Sequence, residues 1–323
     1  MLYRALRIEE KDGVFTKSIK ELPLNQVDSN DVLIKIKYAA LNYKDALSSI
    51  GNRGVTKNYP HTPGIDGAGI VHRSNCKNFK TGDEVIVTGF DLGMNTNGAF
   101  GEYISVPKEW IIPLPKNLTL KEAVGIGTAG ITSAIGVDKL IKNGLKSSDK
   151  ILITGATGGV GSFSVKLLSK LNFNVTALTR KTNEVNFLKN IGANEVINSI
   201  QFNPNKPLLK PIFDGCIDVV GGELLEEILK QIKYGGSVSI CGLISSPKLN
   251  TSVFPFILRG INLLGIDSVE ISRNYREFLW NKLSNEWKID LNSIIKVHSL
   301  DDLPNLLDNM LKGKSVGRIV IKI

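Results

Sequence analysis

The stretch ILITGATGGVGS (151–162) constrains the fold of this chain more than any other. An apolar run ends in Gly155-Ala156-Thr157-Gly158-Gly159-Val160-Gly161 and continues into VGSFSVKLLSKL (160–171), which reads as strand, glycine turn and helix. Glycines at this spacing let the backbone turn tightly and bring its N–H groups to a pyrophosphate at the helix N-terminus. Thr157, Gly158, Gly159, Val160 and Gly161 are the expected contacts. A glycine turn alone could serve only to reach positive φ. What surrounds it argues otherwise. KILIT (150–154), NVTAL (174–178), EVIN (195–198), CIDVV (216–220), SVSIC (237–241) and INLLGI (261–266) are short apolar runs, several continuous as in strands buried on both faces. Helical patterns such as TNEVNFLKNIG (182–192) and ELLEEILKQIKYGG (223–236) lie between them. That alternation implies right-handed crossovers and a doubly wound parallel sheet, an α/β fold. Cys241-Gly242-Leu243 stands where one such strand ends, the edge at which open α/β sheets bind ligands.

The second strand of such a unit selects the dinucleotide. NAD sites place an acidic residue about 20 positions after the glycines to accept from the ribose 2′-OH. Here the place is taken by Leu178-Thr179-Arg180-Lys181-Thr182. Two cations and two hydroxyls suit a 2′-phosphate through charge-assisted hydrogen bonds. A solvated helix start is the plainer reading, but helix N-termini favour acidic residues. NADPH is the expected cofactor, with Thr179, Arg180 and Lys181 on its phosphate.

Residues 1–120 have another character. VLIKIKYAAL (32–41) and DEVIV (83–87) alternate as strands do, and turn signals recur at Asp12-Gly13, Pro63-Gly64 and Thr81-Gly82-Asp83. GFDLGMNTNGAFG (89–101) reads as a flexible or ligand-facing loop, and Thr119 as a helix cap. Helical stretches near 274–286 and 301–313 precede a final strand, RIVIKI (318–323), whose alternation suits a half-exposed sheet in the first domain. At 323 residues, two domains are expected. Three scattered cysteines are neither a disulfide framework nor a zinc motif, which points to a reducing cytoplasm. No apolar run approaches the ~18–20 residues of a membrane span, and the charged N-terminus is not that of a secretory signal. The net charge of +9 is scattered, with no block of five like charges, so it reads as a solvated basic surface rather than a nucleic-acid footprint.

The motifs LNYKDAL (41–47), PGIDGAG (63–69), GIGTAG (125–130), TGATGGVG (154–161), DVVGG (218–222), YGGSVSICGL (234–243) and PFILRGINLLGIDSV (255–269), with a terminal Gly317-Arg318, span nearly the whole chain. Together they resemble the medium-chain dehydrogenase/reductase family, in its zinc-free quinone oxidoreductase subfamily and acryloyl-CoA reductase branch. The resemblance implies a GroES-like, β-rich catalytic domain from 1–120 and 267–323, and a Rossmann NADP-binding domain over 121–266. It implies that Arg318 contacts the cofactor, the alternative being a surface ion pair. It also implies that edge strands such as INLLGI pair between subunits of a homodimer. Zinc members carry a Cys where this chain reads LNYKD and Gly-His-Glu where it reads Gly64-Ile65-Asp66. His61, His72 and His298 have no partners at ligand spacing, and zinc is not expected.

Without a Lewis acid, hydride addition to an activated C=C is easier than reduction of a ketone, because charge spreads onto a thioester or carbonyl oxygen that hydrogen bonds can hold. Tyr43 is the expected donor, organised by Asn42 and Asp45; the alternative is that its ring packs against the nicotinamide. Three functions stay open at this point: reduction of acryloyl-CoA or another short enoyl-CoA, NADPH:quinone reduction, and a cofactor-gated nucleic-acid-binding protein without turnover. The missing basic stripe counts against the third.

Overall fold

The structure, a computed structural model, describes residues 2–24 and 31–323. Strands β1 (Leu2–Lys11) and β2 (Val14–Pro23) form a hairpin that turns at Asp12-Gly13, both at positive φ. Then come β3 (Asp31–Leu41), α1 (Tyr43–Ser48), β4 (Asp66–Ser74), β5 (Glu84–Thr88), β6 (Tyr103–Pro107) and β7 (Ile111–Pro113). The long helix α2 (Leu120–Lys142) leads into β8 (Lys150–Ile153), α3 (Gly159–Lys170), β9 (Asn174–Leu178), α4 (Val185–Asn190) and β10 (Glu195–Ile197). Next are β11 (Phe213–Asp218), α5 (Gly222–Leu229), β12 (Ile232–Ile240), α6 (Phe254–Arg259) and β13 (Asn262–Gly265). The chain closes with α7 (Arg273–Ser284), β14 (Ile295–Ser299), α8 (Leu303–Leu311) and β15 (Arg318–Lys322). Two compact units result, Met1–Thr128 with Val269–Ser284 and Ile295–Ile323, and Ala129–Ser268 with Asn285–Ile294.

The first unit is GroES-like, built on a seven-stranded sheet of order β14-β15-β3-β4-β5-β7, with β6 also on β3. Its core gathers Leu6, Ile34, Ile36, Leu41, Val87, Phe100 and Ile321. β15 is not half-exposed as its alternation suggests. It lies between β14 and β3, and Arg318 to Ile321 are all buried. The loop 89–101, expected to be flexible or ligand-facing, is not flexible in character: Leu92, Ala99 and Phe100 are fully buried, and Ala99 and Phe100 donate N–H groups to Gly64 and Pro63 carbonyls at 2.8 and 3.1 Å. Gly64, at φ +117, makes this crossing possible, since a Cβ there would stand 2.6 Å from the Phe100 nitrogen.

The second unit is a Rossmann fold. Its six strands are all parallel in the order β10-β9-β8-β11-β12-β13, reversing direction of travel between β8 and β11. Ile151, Leu152 and Ile153 are fully buried, as continuous apolar strands between helical layers must be. Thr119 caps α2 reciprocally with Glu122. The helix expected over 223–236 ends at Leu229, and from Ile232 the segment runs in β12. Ile232 is drawn into the sheet opposite Phe213 and is fully buried there, so tertiary packing overrides the helical pattern. Contrary to the sequence reading, α2 is long and apolar enough to cross a membrane, the one such helix among the described residues; 83% of its apolar window is buried within the protein, as in a core helix.

Candidate functional site

The C-terminal edge of the parallel sheet gathers the residues singled out from sequence. Gly155 leaves β8 at φ +53, with room only for a hydrogen, because a Cβ would meet Val219 at 2.5 Å. Gly158 is the N-cap of α3 and offers no side chain to it. The first-turn N–H groups of Gly159, Val160 and Gly161 therefore have no side-chain cap, and a helix start of this kind favours an anion. Gly161 lets the helix pack on the turn, for a Cβ there would lie 2.3 Å from the Gly155 oxygen. Thr157 is buried beside them. Gly242 is equally forced: its Cβ would collide with the Val219 carbonyl at 1.8 Å. Cys241, Gly242 and Leu243 thus run against the end of β11, with Leu243 exposed. Burial and the nearby Asp218 push the Cys241 thiol up to about 12, which favours its protonated form.

Asp218, which the sequence reading passed over, holds this edge together. Its buried carboxylate accepts from the Thr154 hydroxyl at 2.7 Å and the Gly221 N–H at 2.8 Å, and burial raises it above the ordinary carboxylate range. At the end of β9, Thr179 is buried and its hydroxyl accepts from the Lys181 N–H at 3.1 Å, which folds the segment into a tight turn. Arg180 is exposed and Lys181 half-buried. The strand order reverses between β8 and β11, where dinucleotides lie in open α/β sheets. The residues fit such a ligand: uncapped N–H groups, glycines a Cβ would fill, and cations at the second strand's end.

In the first unit, β3 delivers Asn42 to the start of α1. Its side chain is fully engaged, donating from Nδ2 to Asp66 at 2.8 Å and to the Ala40 carbonyl at 3.2 Å, and accepting at Oδ1 from Arg318 at 2.9 Å. Asp45, entirely buried, accepts the N–H groups of Asn42, Gly64 and Ile65 at 2.8, 3.0 and 3.0 Å. Burial, reinforced by the charge of Asp66, raises it to about 7, against the pull of those three donors. Tyr43 differs from both. It is 40% exposed, and its hydroxyl makes no hydrogen bond with the described residues.

Arg318 is no surface residue. It is 2% exposed, and its guanidinium donates to the carbonyls of Gly125 and Val124, to Asn42 and to Asp66. Desolvation lowers its pKa, and the neighbouring Asp66 opposes that. Asp66 is the second residue the sequence reading left unassigned, although PGIDGAG contains it. Its only sequence signal is an acid set among glycines and apolar residues, which must find a partner once buried; the partner lies 252 residues away.

An alcohol dehydrogenase GroES-like domain matches residues 28–116, and a zinc-binding dehydrogenase domain matches 159–285. The acrylyl-CoA reductase AcuI of Ruegeria pomeroyi is 36% identical over 100% of this chain and 99% of its own. The chain belongs to the medium-chain dehydrogenase/reductase family. YhfP of Bacillus subtilis, which carries a quinone oxidoreductase name, has a crystal structure with NAD bound that is 40% identical over the full length of both chains, with a TM-score of 0.96. YhdH of Salmonella enterica in complex with NADP is 36% identical over 99% of each chain, with a TM-score of 0.94.

Zinc, which one matching description names, does not fit the residues of this member. Asp45 is saturated by backbone N–H groups, and Asp66 by Asn42, Thr128 and Arg318. Ile65 stands between the glycine and the acid of that segment. His61 lies against the Gly93 carbonyl at 3.0 Å. Among the described residues, no group of three or more His, Cys, Asp or Glu side chains could hold a metal ion.

Proposed function

We propose that this protein is a zinc-independent, NADPH-dependent reductase of activated C=C bonds, with acryloyl-CoA as its preferred substrate and propionyl-CoA as product. The observation that carries the reading is the economy of the LNYKD segment: Asn42 and Asp45 direct their polar groups inward, and the Tyr43 hydroxyl is left open. The full-length similarity to an acrylyl-CoA reductase supports the substrate class.

A bound nicotinamide supplies the hydride. The chain's own residues bind the cofactor and hold the enolate oxygen, and a proton from solvent then completes the α-carbon. The α3 first turn binds the pyrophosphate, and Thr179, Arg180 and Lys181 bind the 2′-phosphate. The relatives' structures hold both NADP and NAD, so the preference rests on these three residues. Tyr43 donates to the thioester oxygen as negative charge grows there, an interaction stronger in the transition state than in the ground state. The edge strand β13, with Val253, Ile257 and Leu258 exposed on and beside the neighbouring α6, supports a homodimer that covers this apolar margin.

The test is NADPH oxidation with acryloyl-CoA, longer enoyl-CoAs and benzoquinones. Turnover is expected to be fastest with acryloyl-CoA, and Tyr43→Phe to lower kcat more than it raises KM. Fast quinone turnover without thioester activity would replace the substrate and keep the fold and cofactor. An unchanged kcat in Tyr43→Phe would remove that residue from the chemistry.

A further inference from the structure

Helix α2 is broken at Gly127, whose φ of +46 and ψ of −156 are not helical. A helix interrupted in its interior leaves carbonyls without partners on one side and N–H groups on the other. Here a buried ion pair takes up both. Arg318 donates to the first half's last carbonyls, from Nε to Gly125 at 2.9 Å and from Nη2 to Val124 at 3.4 Å. Asp66 accepts the first N–H of the second half, from Thr128 at 2.9 Å, and the Thr128 hydroxyl at 2.6 Å. Each charge has the sign that its helix end favours. The two meet at 3.3 Å, with side chains 2% and 0% exposed. A side chain at position 127 would strike both, at 2.3 Å from Asp66 and 2.8 Å from Arg318, so the glycine is what lets the pair enter the break.

The same pair grips Asn42 from two sides, Asp66 at its amide nitrogen and Arg318 at its oxygen. Asn42 is the N-cap of α1, and Tyr43 is the next residue. We infer that Asp66 and Arg318 are positioning residues for the reduction: anchored in the break of α2, they fix the Asn42 cap and through it the Tyr43 side chain, without touching substrate themselves. This rests on the reading of Tyr43 given above for its catalytic consequence, but not for its geometry. The pair holds four elements, β3, α1, β4 and β15, to one helix break, and of Asn42, Tyr43, Asp66 and Arg318 only Tyr43 carries an open polar group. A purely structural ion pair would stabilise the unit without influencing one exposed tyrosine more than its neighbours.

The experiment uses the full chain labelled with 3-fluorotyrosine, in which Tyr43→Phe identifies one fluorine resonance among seven tyrosines. Asp66→Asn keeps the volume and removes the charge. The expected result is a shifted or broadened Tyr43 resonance with the other six unmoved, and a kcat about 10- to 100-fold lower at little change in KM, the scale of a misplaced catalytic group. In a Tyr43→Phe background, Asp66→Asn should cost almost nothing further, because both changes act through one group. Thr128→Val deletes one hydrogen bond to Asp66 and gives a second reading should Asp66→Asn fold poorly, with a smaller change in the same resonance expected. An unmoved Tyr43 resonance in the folded variants would overturn the inference, as would full additivity of the two losses. Wild-type kcat in Tyr43→Phe would instead refute the catalytic reading of Tyr43, leaving the resonance to decide the positioning role.

Discussion

Replacement of Gly161 by alanine tests the dinucleotide loop where its geometry is tightest. The added methyl would stand 2.3 Å from the Gly155 oxygen, 2.8 Å from the Ala156 Cα and 2.9 Å from the Gly155 carbonyl carbon. All three are backbone atoms, so no side chain can swing aside. Ordinary contact begins near 3.4 Å, and the start of α3 must therefore move by about 1 Å relative to the turn, an overpacking that costs about 1–3 kcal/mol. A hydrogen bond to a phosphate oxygen does not survive lengthening by that amount, and each charge-assisted one contributes about 1.5–3 kcal/mol. Loss of one such bond weakens binding by about 10- to 150-fold. Fluorescence titration should find that Gly161→Ala weakens NADPH and NADH alike, because the pyrophosphate is common to both. Wild-type affinity in Gly161→Ala, or a loss confined to NADPH, would refute the placement of the pyrophosphate.

Arg180→Ala and Lys181→Ala should weaken NADPH by about 10- to 150-fold for whichever residue holds the 2′-phosphate and leave NADH nearly unchanged; equal losses for both cofactors in titration would remove the assignment. Asp45→Asn should flatten the pH dependence of stability. The folded value of about 7 lies above the ordinary 3.8, so the folded state holds this proton more tightly, and the stability it contributes is full below about pH 4 and lost as pH rises through 7, a change on the order of 4 kcal/mol. Melting curves of the two proteins that run parallel between pH 4 and 8 would show that Asp45 does not titrate in this range.

Sequence alone determined most of the Rossmann unit, because most of its determinants are local. Short apolar runs, glycines at fixed spacing and helical patterns each lie within a dozen residues, and the strands at 150–153, 174–178 and 262–265 fall where those patterns put them. The glycines at 155, 161 and 242 could also be anticipated, although Gly242 owes its constraint to a carbonyl 23 residues earlier in sequence, which only the sheet brings near. Tertiary structure decided the first unit, the state of its polar residues and, in the Rossmann unit, where β12 begins. Alternation along RIVIKI suggested a half-exposed strand, yet β15 is inserted between β14 and β3 and is buried. ELLEEILKQIKYGG carries a helical pattern to its end, but burial of Ile232 against Phe213 contributes more than the helical preference of that short segment. The Asp66–Arg318 pair could not be read from either end of the chain, since a buried charge is tolerable only beside its partner and the two are 252 residues apart. Folding brings them together at a glycine break in a third segment, and there Asn42 and Asp45 become framework while Tyr43 stays open.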